Sequence, residues 1–349
     1  MAGRNDRGPI DVCLSVDVEF TPNSALGHPE RPPLGAEWVY GRADGRSQGL
    51  GFLLDTLERH GLEATFFTEV FNTHLFGDGP MAGVVGDILA RGQDVQLHLH
   101  PIWRRFLNPR WRQEPRRPPR GSDSFTGREP AAIAGLLREG CDILERLAGR
   151  RPIAFRCGNL NAGAALYPAM REAGLALASN IGVGLERPAE RHLHLYAGLH
   201  RLDGVVEVPV TSYRVPLLRD RLLLLTITGS SFAEIRAVLA GAARRGVGPV
   251  VVLMHPHDFR IAVPGDPTAP PTYLPDRLRQ RRLEQLCRYL TGRPDRFRVT
   301  TFAAATDRWQ AAAGERTAGD NPLLPGSMSG LAARLVENKV LPALRGQPH

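Results

Sequence analysis

At 349 residues with 42% hydrophobic side chains, the chain has ample material for a large core, which excludes a disordered body. The net charge of +8 is carried by arginine, Lys339 being the single lysine. With the abundant Ala, Gly and Pro, this reads as a biased coding composition. No basic stripe interleaved with aromatics and no nucleic-acid-binding motif is present, so a nucleic-acid partner is not expected.

From Met1 to Asp11 the chain is polar and lacks the apolar core of a signal peptide. A strand over 12–18 ends on Asp17-Val18-Glu19. In the proline-rich loop 21–47, Trp38 and Tyr40 either stack on a sugar or pin the loop. A helix over 48–60 stops at Gly61, a strand covers 63–68, and a helix over 81–91 stops at Gly92. The strand over 94–99 leads into His98-Leu99-His100.

The segment 101–128 has no period. It carries eight arginines against Glu114 and Asp123, with Trp103, Phe106 and Trp111 among them. A long loop at this place suits a substrate-binding lid, because arginine favours carboxylates and phosphates and aromatic faces favour sugar rings.

A helix over 130–148, a strand over 152–156, a helix over 162–173 and a strand over 175–179 follow. Between 193 and 228 the rhythm breaks into consecutive strands (205–210, 222–228), consistent with an irregular barrel carrying a β-hairpin. His192, His194 and His200 there read as surface residues. A helix over 231–244, a strand over 249–255 ending on His255-Pro256-His257, a helix over 275–291 and a strand over 297–302 complete the pattern.

Alternating strands and helices imply a parallel sheet, and this many units favours a closed or nearly closed barrel. The expected organisation is one catalytic domain over 1–310, then a linker and a tail over 311–349 with a short helix near 328–343. The most apolar run, Leu222 to Ile227, is too short to span a bilayer. The four cysteines form no CxxC pair and read as reduced thiols. A cytoplasmic location is expected.

Residues i and i+2 of an extended segment point the same way. Each of the three pairs therefore sends two metal-capable or proton-carrying groups in one direction, at the strand ends where α/β folds place their chemistry. Two imidazoles and a carboxylate form the ligand set of a catalytic zinc or similar divalent ion. A spare carboxylate can then act as base and a spare histidine as acid, the requirement for hydrolysing an amide or ester.

These residues resemble the ordered motifs of the polysaccharide deacetylase superfamily over most of 10–305. Leu14 to Phe20 looks like the first motif in an Asp-x-Glu form. Ala64 to Phe67 is similar to the strand that typically follows, and Gln93 to Pro101 to the metal-binding motif. Phe155 to Asn159 resembles the third motif and Leu253 to His257 the last. The resemblance implies an irregular (β/α) barrel and a divalent metal, expected to be zinc, used to remove acyl groups from sugars.

By the same resemblance Asp17 is the general base, Arg156 orients it and His255 is the general acid, with Glu19 a metal ligand. The family spaces its two ligand histidines four apart, which would put the second at Ile102. His100, on the same face as His98, is the substitute. Asn159, His257 and Trp103 are candidate substrate contacts, and Asp258 either orients a histidine or caps a helix. Asn159 and Asn161 are also candidate helix caps, and Ser179-Asn180 is a further candidate for the same face.

The expected substrate is an acylated amino sugar or glycan precursor, nucleotide- or lipid-linked. Two other readings stand beside this one. The first is a metal-dependent phosphoesterase or amidohydrolase, which carries its His-x-His near the first strand. The second is a catalytically lapsed barrel that binds glycans.

Overall fold

The computed structural model describes residues 8–27, 32–216, 221–263, 271–314 and 321–337. Among them nine strands share one sheet: β1 (Ile10–Val18), β2 (Thr65–Glu69), β3 (Asp94–Leu99), β4 (Ala154–Cys157), β5 (Leu177–Ala178), β6 (His200–Leu202), β7 (Val205–Glu207), β8 (Val250–Met254) and β9 (Phe297–Val299). Their spatial order is β8-β1-β2-β3-β4-β5-β7-β6, and β9 pairs with the start of β1. Every pairing is parallel except the β6–β7 hairpin.

The helices that connect these strands are α1 (Leu50–Arg59), α2 (Asp78–Ala90), α3 (Pro130–Ala148), α4 (Leu166–Glu172), α5 (Phe232–Arg245) and α6 (Arg277–Thr291). Each lies where the sequence periodicity places one. A further helix, α7 (Phe302–Ala312), occupies residues that follow the last expected strand.

Side-chain alternation sorts the strands into two cores. Val12, Leu14, Val16 and Val18 of β1 pack outward with Val95, Leu97 and Leu99 of β3 and the apolar faces of the helices. Cys13, Phe67, Ala154, Leu177, Val206 and Val251 point into the barrel. There they meet Phe302, Ala305 and Trp309 of α7, which plugs the end at which the strands begin. Thr65 Oγ1 and Asp94 Oδ2 accept from the backbone of Phe302 and Ala303, satisfying donors of the first turn of α7.

No strand ladder joins β7 to β8. That gap is bridged by irregular chain: Thr211 exchanges two hydrogen bonds with Val251, and Leu225 and Ile227 bond to Leu253. The expected hairpin is present as β6–β7. A second antiparallel pair, Ser212–Arg214 with Leu222–Leu224, forms a small sheet with Leu324–Pro325. The fold is thus an irregular (β/α) barrel, incomplete as a sheet and closed by loops.

Two expectations are corrected. The segment 101–128 forms two 3₁₀ turns, Pro101–Leu107 and Trp111–Gln113, and buries Trp103, Phe106, Trp111 and Phe125 in the outer core. His200 is buried rather than on the surface. The tail helix is described as Met328–Leu335, and the residues expected to continue it from 338 lie outside the described ones. All four cysteines are free and buried, and no helix among the described residues is long and apolar enough to cross a membrane.

Candidate active site

The inward rows converge where the strands end. On β1 the row containing Cys13 continues through Ser15 and Asp17 to Glu19; on β3 it runs from Asp94 and Gln96 to His98 and then His100. Arg156 follows Ala154 on β4, and His255 follows Val251 and Leu253 on β8. The register sets Glu69 beside His98 and His98 beside Arg156. All three dipeptide-spaced pairs therefore reach one end of one sheet.

Arg156 has no exposed surface. Its Nη1 donates to Asp17 Oδ1 at 2.6 Å, Nη2 to Ser15 Oγ and Ser179 Oγ at 3.1 and 2.8 Å, and Nε to the Ser179 carbonyl at 3.1 Å. The guanidinium also lies 4.2 Å above the Phe67 ring. The second oxygen of Asp17 faces His255 Nε2 across 4.0 Å. On the far side of that ring, Nδ1 is 3.5 Å from Asp258 Oδ2, an oxygen that also accepts the His255 backbone N–H at 2.8 Å. Burial works against a charged His255, but Asp258, then Asp17 and Glu19, outweigh it and raise its pKa to about 9. Asp258 therefore fills both of its expected roles, facing the His255 ring and capping the turn Pro256–Phe259 through the His255 backbone.

Glu19, His98 and His100 bring their ligand atoms within 4.8 Å of one another. Glu19 Oε2 lies 2.7 Å from His100 Nε2 and 3.5 Å from His98 Nε2. His98 Nδ1 is 2.8 Å from the Arg156 carbonyl, which can only accept. Its proton therefore sits on Nδ1, leaving the Nε2 lone pair free. His100 Nδ1 is 2.7 Å from Asp123 Oδ2, and the same oxygen accepts from Asn159 Nδ2 at 2.9 Å. The other Asp123 oxygen accepts from the Ile102 backbone at 3.2 Å.

Burial would raise the Glu19 pKa, but His100 and then His98 hold its carboxyl well below the ordinary value. Burial likewise opposes charge on His100, yet Glu19 and Asp123 raise its pKa far above that of a free imidazole. Two imidazoles, each oriented through its far nitrogen, and one carboxylate form a donor set that fits a divalent ion. Gly158 makes the arrangement possible, since a Cβ there would lie 2.5 Å from the His100 ring. His255, His257 and Asp258 form a second close group, but there Asp258 is already occupied by His255.

Glu19 and His100 open on a cavity of about 600 Å³ whose wall also includes His257, Trp38, Asn159 and Arg117. His257 stacks on His255 with ring centroids 4.8 Å apart, and burial together with the His255 charge lowers its pKa. Trp38 lies against His257 and beneath the Arg260 guanidinium, whereas the Tyr40 hydroxyl is tied to Asp87. Trp38 thus stands on the cavity wall, while Tyr40 pins its loop.

Trp103 is corrected. It is fully buried, packed between Phe76 and Phe106, and presents no face to the cavity. Asp17, Glu19, His98, His100, Arg156, His255, His257 and Asn159 gather at this end of the sheet and Ser179 binds Arg156, whereas Asn161 bonds to Thr126 and Asn180 is buried against the Cys157 backbone. Sequence reasoning missed Asp123, Ser15 and Gly158. Asp123 was visible only as one of two acids in the arginine-rich segment, whereas Ser15 could have been found by extending the inward row from Asp17.

No protein-family model and no curated protein matches the chain in sequence. Solved structures do match. One, from Mycobacterium smegmatis and described as a polysaccharide deacetylase, superposes with a TM-score of 0.52 at 17% identity, covering 92% of this chain and 98% of its own. A family 4 carbohydrate esterase from Streptomyces lividans, solved with acetate, matches with a TM-score of 0.42 at 13% identity, covering 86% and 96%. A family 4 acetyl xylan esterase from Clostridium thermocellum, solved with cobalt, gives 0.38 at 15%, covering 85% and 91%. With the first of these matched almost end to end, the chain takes the fold of the polysaccharide deacetylases.

Proposed function

We propose that this chain is a metal-dependent hydrolase that removes an acetyl or related acyl group from an amino sugar or glycan precursor, breaking a C–N bond other than a peptide bond. One observation carries the reading. Asp17 stands between Arg156 and His255, beside the three-donor group of Glu19, His98 and His100. Fold alone does not decide function, so the argument rests on this grouping.

Glu19, His98 and His100 would hold the ion, with zinc the one their donor set suits. When bound, the ion supplies Lewis-acid polarisation of the acyl carbonyl. Asp17 accepts the proton of the attacking water on Oδ2, the oxygen that Arg156 leaves open. Arg156 locks the carboxylate in place through Oδ1. As oxygen adds to the carbonyl carbon and the C–N bond breaks, charged His255 gives its proton to the departing nitrogen. Water and amide thus become acetic acid and a free amine, and the proton taken up by Asp17 replaces the one given by His255.

A carbohydrate is the partner the cavity suits, with Trp38 as a stacking face. A nucleotide- or lipid-linked precursor falls within that class. Phosphoesterase and amidohydrolase readings expect a His-x-His near the first strand, and here it ends the third strand in chain order.

The test is acetate release from a panel of N-acetylated sugars, with metal content measured on the same preparation. Release that is lost in Asp17→Asn supports the proposal. A protein that binds glycan but releases no acetate with metal supplied would instead mark a lapsed barrel.

A further inference from the structure

The insertion between β3 and α3 is rich in arginine, but most of these side chains have structural work. Arg104 pairs with Glu139 and Arg105 with Glu114, Arg128 binds the carbonyls of Ser122 and Ser124, and Arg112 lies over Trp111. Arg116 and Arg117 differ in place. Both are exposed and both line the cavity that contains Glu19 and His100. Arg116 also reaches the Gly27 carbonyl at 3.4 Å across the cavity mouth. Arg117 makes no hydrogen bond or ion pair with any other described residue.

Among the described residues the carboxylates lining that cavity are Glu19 and Asp123, and both are held by His100. A divalent ion on the three donors would add positive charge there. A neutral ligand would leave Arg117 without a partner, whereas phosphate or carboxylate oxygens match its planar fork.

We infer that Arg117, with Arg116 beside it, forms a subsite for an anionic group, phosphate or carboxylate, borne by the acylated sugar. The assignment rests on the deacylase reading for its chemistry but is tested apart from it. Catalysis and anion recognition then share one cavity, with the anion at the insertion and the acyl group at Asp17.

The experiment compares kcat/KM for N-acetylglucosamine 1-phosphate, N-acetylmuramic acid and neutral N-acetylglucosamine in the wild-type protein, Arg117→Gln, Arg117→Lys and Arg110→Gln. The phosphate and carboxylate arms identify which anion is read. The wild type is expected to favour at least one anionic sugar about tenfold over the neutral one, less so at high salt. Arg117→Gln should cut that preference about fivefold, the upper scale of one solvent-exposed charge pair, with partial recovery in Arg117→Lys. Arg110→Gln, outside the cavity lining, should leave it intact.

An equal preference in wild type and Arg117→Gln, or none for either anion, overturns the subsite. If no sugar is hydrolysed, calorimetric binding of the same three sugars to wild type and Arg117→Gln decides the subsite. In that event only the deacylase reading fails.

Discussion

Arg156 donates to Asp17 across 2.6 Å from a position with no exposed surface, and its three remaining hydrogen bonds all end on β1 or the Ser179 turn. A buried charge held this way is costly to leave alone. Arg156→Met is therefore expected to destabilise the fold by about 3–5 kcal/mol, because it leaves the buried Asp17 carboxyl without its ion-pair partner. Arg156→Lys retains charge but not the fork, so it should unfold nearer to wild type while kcat falls by about 10²-fold or more. Denaturant unfolding and acetate-release kinetics on both variants check this.

Asp123 lies on the insertion, yet it bonds to His100, Asn159 and the Ile102 backbone together. It orients the ring so that His100 Nε2 faces Glu19. Asp123→Asn is expected to weaken metal binding about 10–100-fold with little change in thermal stability of the metal-free protein. Titration with a fluorescent zinc chelator measures it. Wild-type affinity in the variant would remove Asp123 from the account.

Gly158 is needed for close approach. A Cβ there would come within 2.5 Å of the His100 ring, where something must move. Gly158→Ala should therefore displace His100 and lower metal content at a fixed zinc concentration, while far-ultraviolet circular dichroism stays like wild type. A variant that binds zinc as tightly as wild type contradicts this.

The pH profile follows from His255. Its pKa is raised to about 9, with Asp258 the largest favourable influence against the cost of burial. The acid must hold its proton, so kcat/KM is expected to fall as pH rises through about 9. Asp258→Asn withdraws a negative charge, lowers the His255 pKa and moves the alkaline limb toward neutral pH. A limb that stays in place in Asp258→Asn assigns it to another group.

Much of this arrangement is legible in the chain because strand periodicity is a local property. Fully apolar runs such as Val250 to Met254 mark strands covered on both faces. The i, i+2 spacing of Asp17/Glu19 and His98/His100 survives folding because β1 and β3 are regular up to their ends. The illegible parts depend on distant contacts. Trp103 looks like a ligand face by its type, but Phe76 and Phe106 claim it. Helix α7 is masked by the strand before it, and it forms because Thr301 caps it and because the barrel interior takes Phe302 and Trp309. Asp123 meets His100 through two 3₁₀ turns with no periodic signature. The gap between β7 and β8 is closed by single hydrogen bonds from irregular chain, which no pattern announces.

The most direct test of the central claim joins metal content to turnover in one protein. Wild type is expected to hold close to one divalent ion per chain and to release acetate from an N-acetylated sugar. His98→Ala and His100→Ala should lose the ion, and Asp17→Asn should keep the ion and lose the acetate. An Asp17→Asn protein that still releases acetate at the wild-type rate, or a wild type that binds no divalent ion at any concentration offered, would contradict the account.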